Sequence, residues 1–203
     1  MTSLTGDNLA CDRGGRRVFS GLSFQVSSGE GLLITGPNGT GKTTLLRAVC
    51  GLSELSAGRL WLEGQQDDLA IGQRCHLVAH ADAIKPAFSV AENLAFWAAF
   101  NAGGDVAAAL AAFDLVPLAG YSAGLLSAGQ RRRLALSRLV LTPRPIWLLD
   151  EPTVGLDATS LALLTELIAT HLRGGGIAIV ASHTPLDVSL HHHLDMSRFS
   201  AEP

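Results

Sequence analysis

The sequence contains few cysteines, and their spacing gives no reason to pair them. Cys11, Cys50 and Cys75 are odd in number, lie far apart and form no C-x-x-C motif. A disulfide framework normally has an even set of cysteines, and a structural zinc site has closely spaced ligands. The cysteines therefore argue for a reducing compartment and against both a disulfide framework and a zinc site.

Excess positive charge and long apolar segments are also missing. The 203 residues carry a formal net charge of −3, which argues against the generally basic surface of nucleic-acid-binding proteins. Apolar runs such as residues 94–100 fall short of the ~18 residues that span a bilayer, and residues 1–15 lack the apolar core of a signal peptide. Mean hydropathy is nevertheless +0.29. This value indicates a core of buried strands, with or without an exposed apolar patch for a partner.

Short, unalternated apolar segments alternate along the chain with helical ones. The segments 31–35, 76–79, 146–150 and 177–182 are typical of parallel strands that are covered on both faces. Helices are predicted over residues 42–50, 90–100, 106–113, 131–141 and 158–172. This alternation predicts an α/β fold with a mainly parallel core sheet and flanking helices.

Two regions differ from this pattern. Apolar residues alternate with polar ones over 22–26 and 60–62, which predicts a half-exposed antiparallel β part near the N-terminus. An alanine-rich region begins at Ser89 and Glu92, which have the spacing of a capping box, and predicts a helical insert. We expect one domain over residues 1–203 with a helical subdomain at about 85–140.

Residues 36–44, GPNGTGKTT, match the phosphate-loop motif G-x-x-x-x-G-K-[ST] between a predicted strand and a predicted helix. The glycines let successive backbone N–H groups face one point, and the helix adds the positive end of its dipole there. Lys42 would reach the β- and γ-phosphates of ATP, and the Thr43 hydroxyl would bind Mg²⁺. The predicted ATP-binding residues of this loop are Gly36, Pro37, Asn38, Gly39, Thr40, Gly41, Lys42, Thr43 and Thr44.

Acidic residues and a histidine follow two of the predicted strands. Asp150 ends an apolar strand and is expected to hold Mg²⁺, while Glu151, one residue further, is expected to polarise the attacking water as a general base. An acidic pair alone is as often a solvated turn, but its combination with a phosphate loop favours a functional site. His183 follows the last predicted strand, where α/β sheets bind ligands, and fits a sensor of the γ-phosphate. A lone histidine there is more often structural.

Small residues precede the helix of residues 131–141. Ser127 and Gln130 have capping-box spacing, and Ala128 and Gly129 between them leave the helix end open to an anion. Since the chain has its own phosphate loop, we expect this anion to be the γ-phosphate held by a second copy. We interpret the arginines at 131–133 mostly as a solvated helix face and not as a nucleic-acid contact.

The turn LSAGQ followed by RRRLALSRLVL, between the phosphate loop and IWLLDEP, resembles the signature of ATP-binding-cassette (ABC) ATPases. VGLD at 154–157 and His183 also match, so five motifs stand in the family's order over nearly the whole chain. The resemblance implies a P-loop ATPase of ABC type that uses ATP and Mg²⁺. It also implies a head-to-tail dimer, which closes on ATP binding and reopens after hydrolysis. Each ATP would lie between one chain's phosphate loop and the partner's 127–130 turn, with Asp157 in the loop after the acidic strand.

The sequence departs from the family pattern at two positions. The family's glutamine after the third core strand corresponds to Ala81, so we hypothesise that His80 or Asp82 takes over its metal and coupling role. The family's adenine-stacking aromatic residue falls near Arg13, whose planar guanidinium can also stack on a base.

The sequence is similar to the ATP-binding subunits of cytochrome c maturation systems, a group described as haem exporters. The similarity rests on the segments 11–24 and 80–94 and on the short length of the chain. This similarity implies a peripheral ATPase at the cytoplasmic face of the inner (cell) membrane, docked on integral membrane transporter subunits and without a nucleic-acid partner. Its turnover would drive release of a haem-loaded chaperone. An ATPase subunit of another importer or exporter is the alternative. A soluble cassette of DNA repair or translation would need tandem cassettes or a coiled-coil insert, and the chain has neither.

Two further clusters have competing interpretations. Phe96, Trp97 and Phe100 could form the docking site for the membrane subunit or simply belong to the core. The histidines at 191–193 are predicted to be a solvated tail and not a site for metal or haem, because adjacent side chains cannot all face one ion.

Overall fold

The computed structural model describes residues 2–200, which form two sheets and five α-helices within that range. The strands are β1 (Ser3–Arg13), β2 (Arg16–Ser27), β3 (Gly31–Thr35), β4 (Ala57–Glu63), β5 (Cys75–Val78), β6 (Ile146–Asp150), β7 (Ile177–Ala181) and β8 (His192–Asp195). The helices are α1 (Lys42–Val49), α2 (Val90–Phe100), α3 (Val106–Ala111), α4 (Ala128–Leu141) and α5 (Ala158–Arg173).

The core sheet is parallel, with the strand order β5-β6-β7-β3-β8. Every residue of β6 and β7 is buried, which confirms that these apolar segments are covered on both faces. Side chains alternate between two cores: Ile146 and Leu148 pack with α1 and the antiparallel sheet, whereas Trp147 and Leu149 pack with the helices α2 to α5. The carboxyl ends of these strands form the edge that carries the site.

The second sheet is antiparallel, with the order β2-β1-β4. One face is buried through residues such as Leu4, Leu22 and Val26, and Leu4 pairs with Val26 on one side and with Leu62 on the other. The other face carries polar residues such as Thr5 and Gln25, together with the partly exposed Trp61. This confirms the half-exposed β part predicted from the alternating pattern.

The helical segment between β5 and β6 contains α2, α3 and α4, which pack on one another around Leu94, Phe113 and Leu136. Capping boxes begin α2 at Ser89 and α4 at Ser127, as their spacing predicted. Helix α4 begins at Ala128, three residues before the predicted start, because the apolar periodicity appears only after its first turn. No helix within residues 2–200 combines the length and apolarity needed to cross a membrane.

The histidines at 191–193 do not form a tail outside the core sheet, although His191 and His193 are exposed, as predicted. Residues 192 and 193 belong to β8, a fifth core strand that pairs with β3. Each histidine meets a different group: the backbone N–H of Gly31 donates to His191 Nδ1, and the rings of His192 and His193 lie 2.9 Å and 2.7 Å from Glu30 Oε2 and Thr35 Oγ1. All three histidine side chains therefore contact β3 or the residue before it.

Candidate active site

The phosphate loop connects β3 to α1 through backbone angles that favour glycine. Gly36, Gly39 and Gly41 have φ values of 132°, 88° and 100°, which side-chain-bearing residues rarely adopt. A Cβ at Gly41 would also lie 2.8 Å from Val18 Cγ1. No side chain caps the N-terminus of α1, so its first N–H groups point into the loop, as an anion site requires.

Lys42 and Thr43, the first residues of α1, point to the same edge of the sheet as Asp150. The buried Lys42 Nζ donates to the carbonyl oxygens of Gly36 and Pro37, at 2.6 and 3.2 Å, and lies 2.9 Å from His183 Nε2. Thr43 Oγ1 donates to Asp150 Oδ2 at 2.8 Å. A hydroxyl and a carboxylate at this distance are the hard oxygen donors that Mg²⁺ prefers, so these residues fit the ion.

Glu151 follows β6 with a left-handed backbone, φ 46°, and its N–H donates to the carbonyl oxygen of Ala181. Its Oε2 accepts the backbone N–H of His183 at 3.3 Å. Oε1 lies 3.5 Å from His183 Nε2 and makes no hydrogen bond with any residue in the described range. The His183 ring also lies 3.3 Å from Asn38 Oδ1. The structure thus places His183 against both Lys42 and Glu151, and the buried Glu151 Oε1 has no hydrogen-bond partner among the described residues.

The 127–130 turn and the phosphate loop form different parts of the surface. Ser127 Oγ accepts the N–H of Gln130, and the Gln130 side chain accepts the N–H of Ser127, which leaves Ser127 and Ala128 exposed. A Cβ at Gly129 would lie 2.8 Å from the carbonyl oxygen of Gly155, so glycine is required where this turn meets the loop of residues 154–157. Within residues 2–200, no hydrogen bond joins this turn to the chain's own phosphate loop.

Asp157 caps α5, an interaction that the family resemblance does not include. Its Oδ1 accepts the backbone N–H of Ser160 at 2.8 Å. Hydrogen bonds from Ser160 hold the pKa of the Asp157 carboxyl below its usual value. Any role of Asp157 in the dimer would therefore be additional to its role as the cap of α5.

The prediction that the arginines at 131–133 are mostly solvated was wrong, most clearly at Arg132, which is 5% exposed. Arg131 and Arg133 donate to carbonyl oxygens of the helical segment between β5 and β6, at Leu126 and Phe113. Arg132, Leu136 and Leu139 are buried at positions i, i+4 and i+7, the signal that could have placed this arginine on the inner face. Its acceptors are the carbonyl oxygens of Ala79, Asp150, Glu151 and Pro152 and the Oδ1 of Asp82, at 3.0, 3.0, 2.8, 3.4 and 3.0 Å.

The residues at the two positions where the sequence departs from the family pattern lie near the surface. His80 and Ala81 are exposed, whereas the Asp82 carboxylate faces Arg132. The structure forms no group of three His, Cys, Asp or Glu side chains that could hold a metal within the described range. Arg13 is exposed at the end of β1, opposite Arg16. Adenine stacking by Arg13 stays a prediction, as does a metal role of His80 or Asp82.

The aromatic cluster of α2 is partly core and partly surface. The Trp97 ring packs edge-on against Phe96 and Phe100, with centroids 5.5 and 5.7 Å apart. The Arg138 guanidinium lies 3.7 Å from its centre on the inner side. Phe100 is 73% exposed. Trp97 therefore packs within the cluster while Phe100 is exposed, and docking of a membrane subunit there stays a prediction.

Comparison with known proteins agrees with this architecture. The ABC transporter family model matches residues 19–154. A protein of Nitrobacter winogradskyi, named cytochrome c biogenesis ATP-binding export protein CcmA, is 49% identical over 188 residues, which cover 92% of this chain and 94% of that protein. The protein of the same name from Brucella abortus is 44% identical over 210 residues and 98% of both chains.

Solved structures share the fold. An ABC transporter ATP-binding protein of Pyrococcus furiosus superposes with a TM-score of 0.82 at 22% identity, over 98% of this chain and 100% of that one. A dimeric ATP-binding cassette in a post-hydrolysis state, bound to ADP and phosphate, gives 0.77 at 22% identity, over 89% and 88%. The chain belongs to the ABC transporter family and is an ATP-hydrolysing, nucleotide-binding domain of ABC type.

Proposed function

We propose that this chain is the ATPase subunit of an ABC complex for cytochrome c-type biogenesis, in which ATP turnover drives haem export or the release of a haem-loaded chaperone. The observation that supports this most directly is the identity of 44–49%, over more than nine-tenths of each chain, with proteins named for that process. The glutamine replaced by Ala81 supports the same assignment.

Residues 36–44 bind the phosphates of ATP in this proposal. Lys42 turns from its own loop carbonyls to the β- and γ-phosphates, and Arg13 stacks on adenine. Thr43 and Asp150 hold Mg²⁺, which supplies charge neutralisation at the phosphates when bound. Glu151 takes a proton from the attacking water, because its Oε1 is free and its Oε2 is held by the His183 N–H. His183 contacts both Lys42 and Glu151, so it keeps the γ-phosphate and the base in register.

Two copies form each nucleotide site. The turn made of Ser127, Ala128, Gly129 and Gln130 acts on the ATP held by the partner copy. Asp157 lies at the interface between the two copies. Two observations support this: the turn is exposed, and it makes no hydrogen bond with its own phosphate loop within residues 2–200. A helix N-terminus with small residues is also suited to bind an anion at close approach.

The membrane partner docks on the exposed edge of α2. Phe100 and Phe96 expose large apolar area beside Trp97, and such patches mark interaction sites. This would place the chain at the cytoplasmic face of the inner (cell) membrane. In a pull-down with the membrane subunits, Phe100→Asp should lose binding. Leu52→Asp, an exposed apolar position outside this subdomain, should keep it. Equal binding by both variants would refute this docking surface.

The alternative is a subunit of another importer or exporter, since the ATPase site would be the same. Co-purification from the native membrane tests the choice. Integral subunits of the cytochrome c maturation complex should travel with the chain. Recovery of transporter subunits that accompany a periplasmic binding protein would contradict the proposal.

A further inference from the structure

Arg132 joins three segments that the ATPase site depends on. The residue lies on α4, the helix that begins with the 127–130 turn. Its guanidinium donates to the loop that follows β5, through Ala79 and Asp82, and to the loop that follows β6, through residues 150–152. All three guanidinium nitrogens are used. One buried side chain therefore fixes the two loops relative to the helix.

The charge of Arg132 needs this environment. A buried guanidinium is stable only when it is paired and hydrogen-bonded. Asp82 is the one carboxylate that pairs with it in the described part of the chain, at 3.0 Å, and four carbonyl oxygens accept its other hydrogen bonds. Asp82 lies one residue after Ala81, so the loop that lacks the family's glutamine is tied to α4 by an ion pair.

The backbone that Arg132 holds is the one that orients Glu151. Glu151 has φ 46°, a conformation that costs free energy in a residue with a side chain and persists only when its surroundings fix it. Arg132 Nη2 donates to the carbonyl oxygens of Asp150 and Glu151, one on each side of this strained position. The arginine thereby fixes the two peptide planes from which the Glu151 carboxylate projects.

We propose that Arg132, held by Asp82, is a positioning residue for ATP hydrolysis: it fixes the Glu151 backbone and ties it to the end of α4 that bears the 127–130 turn. The proposal rests on the proposed function, because it takes Glu151 as the group that activates water. A displacement of α4 by the partner's nucleotide then reaches Glu151 through one side chain. Lysine, with one nitrogen and three N–H donors, cannot replace all five hydrogen bonds that the planar guanidinium makes to the two loops.

The test measures kcat and the Kd of a fluorescent ATP analogue on the full chain. Arg132→Lys should lower kcat by at least about tenfold with the Kd within about twofold, since the base is misplaced while the phosphate loop is intact. Asp82→Asn should lower kcat in the same direction by about threefold. Arg74→Lys is the matched control, because Arg74 is also buried and paired with an aspartate, Asp67, but lies outside the site. It should lower the melting temperature and keep kcat.

A double variant separates positioning from general destabilisation. If Arg132 acts through Glu151, adding Arg132→Lys to Glu151→Gln should cause no further loss of kcat. Unchanged kcat in Arg132→Lys, a loss no larger than that of Arg74→Lys, or a full multiplicative loss in the double variant would overturn the inference. Full turnover by Glu151→Gln alone would instead refute the base assigned in the proposed function, and with it the route by which Arg132 acts.

Discussion

Glu151 shows how much of the chemistry depends on one backbone conformation. Glu151 has a left-handed φ and its carboxylate meets His183, whose ring in turn contacts Lys42 and Asn38 of the phosphate loop. Asp150, one residue earlier, stays in the strand and meets Thr43. Two adjacent acidic side chains thus meet different partners, which suits the different roles proposed for them.

Replacing Glu151 with Gln should preserve nucleotide binding and remove the base. We expect Glu151→Gln to accumulate a closed dimer with ATP and to lower turnover by about 10²-fold or more, because general-base catalysis contributes that much. Phosphate release and size-exclusion chromatography with ATP measure the two effects. Glu166→Gln, an exposed glutamate on α5, should behave as the wild type. Turnover within a few-fold of wild type in Glu151→Gln would contradict the assignment.

Lys42→Ala should lose both binding and turnover, because the β- and γ-phosphates would lose the cation that neutralises them. The measurement is titration with a fluorescent ATP analogue alongside an ATPase assay. Arg47→Ala, an exposed cation on the same helix, provides the control and should retain both. Undiminished affinity of Lys42→Ala for the analogue would show that this lysine does not contact the phosphates.

Single residues were predictable where a motif fixes them and unpredictable where the fold does. The phosphate loop and the acidic strand end were identified because their residue types have chemical reasons to occur at that spacing. Arg132 was not, because its partners lie 18 to 53 positions away in sequence and only the packing of α4 brings them together. A charged residue on a helix was assigned to solvent, while the tertiary structure had buried it.

At the scale of elements, strands and helices with their own apolar pattern were predicted and β8 was not. Segments such as Ile146–Asp150 bury every side chain, so composition alone identifies them. In β8 only Leu194 is buried, and the strand forms because β3 offers it a free edge. A strand that forms by pairing with a sheet edge is hard to predict from a sequence of three histidines.

His76, on β5, predicts how stability depends on pH. Burial, with smaller effects from Arg138 and Arg144, lowers its pKa from 6.5 to about 4, against a hydrogen bond with the Thr142 carbonyl oxygen that raises it. The folded protein therefore binds fewer protons than the unfolded chain between these values, so this stability is present above pH 6.5 and is lost as pH falls towards 4. We expect a loss of about 2 kcal/mol in the free energy of unfolding between pH 7 and pH 5.

Urea unfolding of the wild type and of His76→Gln at both pH values measures this contribution. The variant should lose less stability than the wild type on acidification, since glutamine does not titrate. His171, whose pKa burial also lowers, remains in both proteins and cancels in the comparison. An identical loss in both proteins would show that His76 is not the titrating group.

For the whole molecule, the sequence predicted an incomplete reaction centre. The phosphate loop, Asp150, Glu151 and His183 converge at one edge of the core sheet, whereas the 127–130 turn forms another part of the surface. The family motifs indicate both parts, because each is local in sequence. How two copies meet depends on surfaces spread over many elements, which short motifs do not specify.

A mixing experiment tests this account most directly. Lys42→Ala damages the phosphate loop, Ser127→Arg blocks the turn, and each variant alone should be inactive. In a 1:1 mixture, random pairing places one intact phosphate loop opposite one intact turn in half of the dimers, so about a quarter of wild-type ATPase activity should return. A mixture no more active than its two components measured separately would contradict the central claim that each site is shared between two copies.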